Sequence, residues 1–185
     1  MNLRVMVALL ASIATPAFGT DWTTRQDASS LRFSGVSQGE SFEGRFAEFN
    51  SQIRFDPDDL ANARFDVRIK LASADTRNEE RDSTLQDSDF FDVANHPEAR
   101  FIATDFATTA TGFEARGSLE LRGARQPVTL AFSWSPLAEG ARLEGKATLD
   151  RTAFGVGSGD WADAETIAHD VVVQTTLVLN PASTP

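Results

Sequence analysis

The strongest constraint on how this chain can fold is a period-two alternation of apolar and polar residues that recurs along most of its length. Between Ala63 and Ala72, Phe65, Val67, Ile69 and Leu71 point one way, while Arg64, Asp66, Arg68 and Lys70 point the other. Successive side chains of a strand emerge on opposite faces, so the pattern calls for strands with one wet and one dry face. The same alternation runs from Phe113 to Arg122 and from Arg142 to Leu149. Shorter versions cover Leu31 to Phe33, Phe42 to Phe46, Ile53 to Phe55, Arg100 to Phe106 and Val128 to Trp134, and Ile167 to Leu179 reads as a long closing strand. Turn residues fall between the runs, at Phe55 to Asp59, Ala110 to Gly112, Gly123 to Pro127 and Pro136 to Gly140. Thr76 to Asp87 breaks the rhythm, and its Glu, Arg and Asp content predicts a short polar helix started by Asp75 or Thr76.

About eight or nine strands with one apolar face can satisfy their edges by closing into a barrel or by stacking as a sandwich. Gly44, Ala115, Gly117, Gly145 and Ala147 lie on the apolar sides of their strands, and small inward residues favour closure around unfilled volume. With 14 phenylalanines, 3 tryptophans and no tyrosine, such a volume would be lined by rings with few polar handles. The expected lining comprises Phe33, Phe42, Phe46 and Phe65 from the first strands, then Phe101. Phe113, Gly117, Leu119, Phe132 and Trp134 follow from the central strands. Phe154 and Trp161, at the ends of a glycine-rich loop, would cap it.

The first nineteen residues read as an export signal: Arg4 supplies a charge, Val5 to Ala14 form an apolar run too short to span a bilayer, and Ala17-Phe18-Gly19 offers small residues for cleavage. A buried N-terminal helix would show a polar face, which this stretch lacks beyond Ser12. The organisation expected is thus a signal peptide over 1–19, one domain over 20–180 and a disordered tail over 181–185. The net charge of −10, with acidic residues spread along the chain, repels phosphate backbones and anionic head groups, so neither nucleic-acid binding nor electrostatic membrane docking is expected; no stable membrane insertion is expected either. Without cysteine there is no thiol chemistry, and two histidines make a metal site a poor expectation; none is assigned, and no cofactor.

Little in the chain suggests catalysis. Asp75 to Asp82 gathers carboxylates, but they alternate with arginines as in a solvated, ion-paired helix, whereas a catalytic pair needs burial or a close like charge. His96 precedes Pro97 and His169 shares a face with Val171 and Val173, both structural settings. Gly155-Val156-Gly157-Ser158-Gly159 lacks the lysine and following helix of a phosphate loop and fits a flexible cap instead. No catalytic residue is assigned.

Several ordered signals carry a resemblance: Gly44-Arg45-Phe46 with Phe55-Asp56, Asp75-Thr76 with Arg81-Asp82, Phe90-Phe91-Asp92-Val93, and Pro97 with Phe101. Gly117 and Leu119 with Gly123 and Pro127-Val128, then Arg151 with Phe154-Gly155-Val156, complete the series. In order and spacing the chain resembles the YceI-like family over nearly its whole length after the leader. The resemblance implies an all-β, extended antiparallel lipocalin-like barrel of about eight strands with one short helix. It also implies a periplasmic carrier, not an enzyme, holding a polyisoprenoid chain, with Phe46, Phe90, Phe91, Phe101 and Phe154 matching apolar positions of the family's motifs and so joining the expected lining. The segment Gln38 to Phe46, together with Gly155 to Trp161, resembles the branch found beside or fused to membrane b-type cytochromes, which implies a quinone as cargo and such a cytochrome as partner. A ligand-free accessory protein docking on a membrane redox partner is the alternative. Histidines common in the family near the first strand are replaced here by Ser29-Ser30 and the Gly35 to Gly39 segment, so any polar contact they make is absent.

Overall fold

The computed structural model describes residues 21–182, so the expected signal peptide and the last three residues of the expected tail lie outside the described residues. Eleven strands form one sheet: β1 Asp21–Thr24, β2 Ser30–Ser37, β3 Glu40–Phe46, β4 Phe49–Arg54, β5 Arg64–Lys70 and β6 Ala74–Asp75. After the single α-helix among the described residues, α1 Glu79–Gln86, come β7 Glu98–Thr109, β8 Gly112–Leu121, β9 Ala124–Leu137, β10 Gly140–Asp150 and β11 Asp170–Pro181.

These strands make an eight-stave closed antiparallel barrel, because three staves are each broken in two. β1 and β2 lie end to end along β11, Thr24 pairing with Leu179 and Ser30 with Thr176. β4 and β3 follow along β1 and β2, and β5 and β6 along β4 and β3. β5 then pairs with β7, and β7 to β11 continue as a meander that closes on the first stave. Closure gives each long stave a neighbour on both sides, although the pairing covers only part of the length of β7, β9 and β10. The second and third breaks share one crease, where Ala47 N donates to Ser73 O, Lys70 N to Glu48 O, and Glu48 N to Ser73 Oγ at 3.0 Å. In the β8–β9 hairpin, Arg122 and Gly123 both take positive φ (52° and 75°), the two-residue turn whose twist matches that of the strands.

The interior divides into two unlike halves. At one end Phe55, fully buried, meets the rings of Phe65, Phe106, Phe113, Phe132 and Trp134 at centroid distances of 4.8 to 6.1 Å. Trp22 covers Trp134 edge-on at 5.1 Å and donates its indole N–H to Phe55 O at 2.8 Å, so the polar tip of this plug is satisfied. The other half is built around Phe33, Leu71, Leu85, Phe90, Phe91 and Phe154 and remains hollow.

The helix and the tail differ from expectation. Arg77 takes φ +59°, which breaks a helical path, and Asn78 Oδ1 accepts the Arg81 N–H at 2.9 Å as the true cap, so α1 begins at Glu79. Thr76 instead donates its N–H and hydroxyl to one Asp82 oxygen at 2.8 and 2.7 Å, lashing the helix to the strand before it. Pro181 belongs to β11 opposite Trp22, and Ala182 N donates to Asp21 O, so ordered structure reaches two residues into the segment expected to fray.

Candidate functional site: an apolar cavity in one half of the barrel

The hollow half holds a cavity of about 430 Å³, within the range that takes a small molecule. Its walls are the dry faces of the staves: Val67 and Ile69 on β5, Phe101 on β7, Leu130 on β9, Ala147 on β10 and Val173 on β11. Several of these inward side chains, Phe101, Leu130 and Val173 among them, are only half buried, because they face the void instead of a packed neighbour. Ile53, Phe65, Leu143 and Leu177, the inner surface of the plug, form the floor. Leu85, Phe90, Phe91, Phe154 and Val156 form the opposite end. Polar groups collect at one rim, where α1 brings Asn78, Glu80, Arg81 and Thr84 beside Ser37 of β2 and the loop residue Trp161.

Of the residues expected from sequence, Phe33, Phe42, Phe46, Phe65, Phe90 and Phe91 line this cavity, as do Phe101, Leu119, Phe154 and Trp161. Four lie elsewhere. Phe113, Phe132 and Trp134 belong to the aromatic plug, because in their half of the barrel the rings converge on Phe55 and fill the space. Gly117 adds no space either: a β-carbon there would collide with the Ile102 carbonyl. The cause is a bulge in β7 between Ala103 and Asp105, which pushes that strand's backbone against Gly117. Gly44 is likewise filled, by the Phe33 ring, and Ala115 is completely buried in the plug half. In the plug half the rings converge on Phe55 and fill the centre, whereas in the other half they stand back as walls and leave it open; of the small inward residues singled out only Ala147 faces the hollow.

Arg151, which sequence reasoning placed only in a motif, organises the cap. It is 4% exposed, with no carboxylate partner among the described residues, and every side-chain N–H donates to a backbone carbonyl. Nε reaches Ala168 O at 3.1 Å; Nη1 reaches Val156 O and Gly157 O at 2.8 Å; Nη2 reaches Trp161 O and Ile167 O at 2.7 Å. Burial pushes the guanidinium below its ordinary pKa, opposed by the neighbouring Asp150 carboxylate. Five carbonyl dipoles take the place of a counter-ion and pin 152–168 across the barrel end. Gly157, at φ +70°, is obligatory because a β-carbon would strike Arg151 Nη1. Arg122 adds a second clamp, Nη1 to Gly155 O at 2.8 Å and Nη2 to Ser88 O at 2.6 Å. The glycine-rich segment is thus a stapled cap with its carbonyls turned onto arginines, the reverse of a phosphate cradle.

The other polar candidates resolve into local pairings. Asp75 accepts the Arg77 N–H at 2.9 Å and pairs with Arg45 at 2.9 Å, and these, the backbone bond first, hold its carboxyl below the usual range. His169 Nε2 lies 3.1 Å from Ala162 O, and His96 packs beneath Gly123, 3.9 Å from Asp92. Among the described residues no helix is long and apolar enough to cross a membrane.

A closed eight-stave barrel with a greasy, ring-lined pocket and a polar rim belongs to the class of β-barrels that enclose a cavity. The model of the YceI-like domain matches residues 22–179, and the chain belongs to that family. It is 35% identical over 137 residues to a UPF0312 protein of Shewanella denitrificans, covering 70% of this chain and 72% of that one. Protein YceI of Escherichia coli is 32% identical over 114 residues, 57% of this chain and 60% of the relative. Among solved structures, Burkholderia cenocepacia BcnA superposes with a TM-score of 0.81 at 25% identity, covering 84% of this chain and 98% of that one. A polyisoprenoid binding domain from Saccharophagus degradans shares the fold at a TM-score of 0.66 and 16% identity, over 89% of this chain and 99% of that domain.

Proposed function

We propose that this protein is an exported carrier that holds an isoprenoid lipid or isoprenoid quinone in the barrel cavity and performs no chemistry on it. The observation that carries the reading is the cavity itself: about 430 Å³, walled by rings and aliphatic chains, with most of its polar groups gathered at one rim and the Thr175 hydroxyl on the wall turned to Ser30 O. A long, flexible hydrocarbon gains roughly 0.8 kcal/mol for each methylene-sized piece removed from water, so such a tunnel binds it without a hydrogen-bonding code. The fold shared with a polyisoprenoid binding domain supports this choice of cargo. Export to the periplasm is part of the proposal, on the strength of Arg4 and the apolar run from Val5 to Ala14. The test is extraction of natively purified protein into organic solvent followed by mass spectrometry. A stoichiometric prenyl compound is the expected result; a protein that yields none from a lipid-containing host, and takes up none when offered, overturns the reading.

A further inference from the structure

The rim carries one cation whose donors are unspent. Arg81 lines the cavity mouth with its guanidinium carbon 5.0 Å from the centroid of the Phe42 ring, across the gap between α1 and β3. Among the described residues, none of the ion pairs uses Arg81, and its side chain donates no hydrogen bond within the protein. The cavity's other cation, Arg151, has given all its donors to backbone carbonyls. Beside Arg81 stand the Asn78 amide nitrogen and the Ser37 hydroxyl, likewise without partners among the described residues. Nothing comparable lies at the plug end, where the floor is Ile53, Phe65, Leu143 and Leu177.

We propose that Arg81 reads the head of an amphiphilic cargo held tail-inward, and that this head is an uncharged hydrogen-bond acceptor, a hydroxyl or carbonyl oxygen, not a phosphate. The inference rests on the carrier reading and deepens it. Its polarity follows from where the free polar groups are: a tail directed to the plug meets apolar surface apart from Thr175, whose hydroxyl is spent on Ser30 O, and the head then comes to rest at α1. Its charge follows from the surroundings of Arg81. Glu79, Glu80 and Asp82 share the first turn of α1, Glu80 lines the rim itself, and the whole chain carries −10. One guanidinium among these carboxylates offers a strong donor to a neutral oxygen, whereas a diphosphate meets more negative than positive charge.

The experiment displaces a fluorescent apolar probe with four compounds that share a geranylgeranyl tail: the alcohol, a naphthoquinone, the diphosphate and the bare hydrocarbon. The full-length protein is compared with Arg81→Met, which keeps an apolar stem over Phe42, and with Arg81→Lys. Wild type is expected to bind the alcohol or the quinone about tenfold more tightly than the hydrocarbon, as one hydrogen bond from a charged donor provides, and the diphosphate more weakly than either. Arg81→Met should erase that preference and leave hydrocarbon binding unchanged, and Arg81→Lys should retain part of it. Equal ranking of all heads by wild type, an equal loss for the hydrocarbon in Arg81→Met, or the diphosphate binding tightest and losing most, each overturns the head-group assignment while leaving the carrier intact. Failure of all four to compete overturns the carrier reading, and the assignment with it.

Discussion

Filling the cavity from Ala147 should abolish cargo binding while sparing the fold. Ala147 is 8% exposed on β10, paired with Val173 of β11, and its methyl group forms part of the cavity wall. Ala147→Phe places a ring of six carbons in the path of a tail; at ~0.8 kcal/mol for each displaced carbon, the loss is about 5 kcal/mol, more than a thousandfold in affinity. The protein itself pays little. Filling roughly 100 Å³ of void recovers at most about 2 kcal/mol at ~24 cal/mol per Å³, and overpacking costs about 1–3 kcal/mol, so stability should stay within about 1 kcal/mol of wild type. Titration with a fluorescent apolar probe, run beside a thermal melt, reads both quantities on one sample. Undiminished binding in a folded Ala147→Phe protein would show that cargo does not use this hollow. A joint collapse of binding and melting temperature would show that the wall has no slack at β10, and the cavity argument would fail there.

The remaining predictions probe what surrounds the cavity. Gly117→Ala should destabilise by about 3 kcal/mol, because the new β-carbon meets the Ile102 backbone and not open space, and its melt should fall without a selective effect on probe binding. Arg151→Met removes the donor from five carbonyls and should cost about 3–5 kcal/mol, with amide exchange rising over 155–168 before it rises in the staves; uniform exchange would contradict the staple. The Asp66 carboxyl is held below its usual range first by its hydrogen bonds to Arg100 (2.9 and 2.6 Å), then by the charges of Arg100 and Arg64, against its partial burial. With the folded pKa below the unfolded value of about 3.9, its stabilisation is complete above that value and disappears as pH falls through the folded one. Asp66→Asn should therefore lower the urea midpoint at neutral pH, and the gap should close in strong acid; a gap independent of pH would assign the effect to shape.

The strands were legible in the sequence because alternation is a local property: every inward residue of Arg64–Lys70 can be read from its neighbours alone. The broken staves were not. Leu31 to Phe33 and Phe42 to Phe46 read as ordinary short strands, and only the pairing of β1 and β2 along the one long β11 shows that two fragments make one stave. The sequence locates the helix but not its start, since Asp75 and Thr76 are as good caps as Asn78 until Arg77 takes a left-handed turn. For the site, alternation says which residues face inward and is silent about which half of the barrel they reach. Phe113 and Phe101 carry the same signal, yet one is drawn into the rings around Phe55 and the other faces the void. Gly117 and Ala147 were equivalent as small inward residues until the β7 bulge separated them.

That separation of roles explains how a barrel of this size tolerates a hollow at all. Side chains left facing a void give up the contacts a packed core would supply, and the deficit must be offset elsewhere. Here the offset is concentrated at the far end, where Phe55, Phe65, Leu143 and Leu179 are at most 1% exposed and five aromatic rings meet Phe55. The near end is held by polar staples, Arg151 and Arg122 on the cap and Asp82 on Thr76, which fix the loops by hydrogen bonds without filling the space beneath them. Stability and capacity thus reside largely in different residues, Phe65 and Leu143 at the floor serving both. A substitution at Phe55 should act on folding first, one at Ala147 on binding first, and a single packed core could not divide its responses in that way.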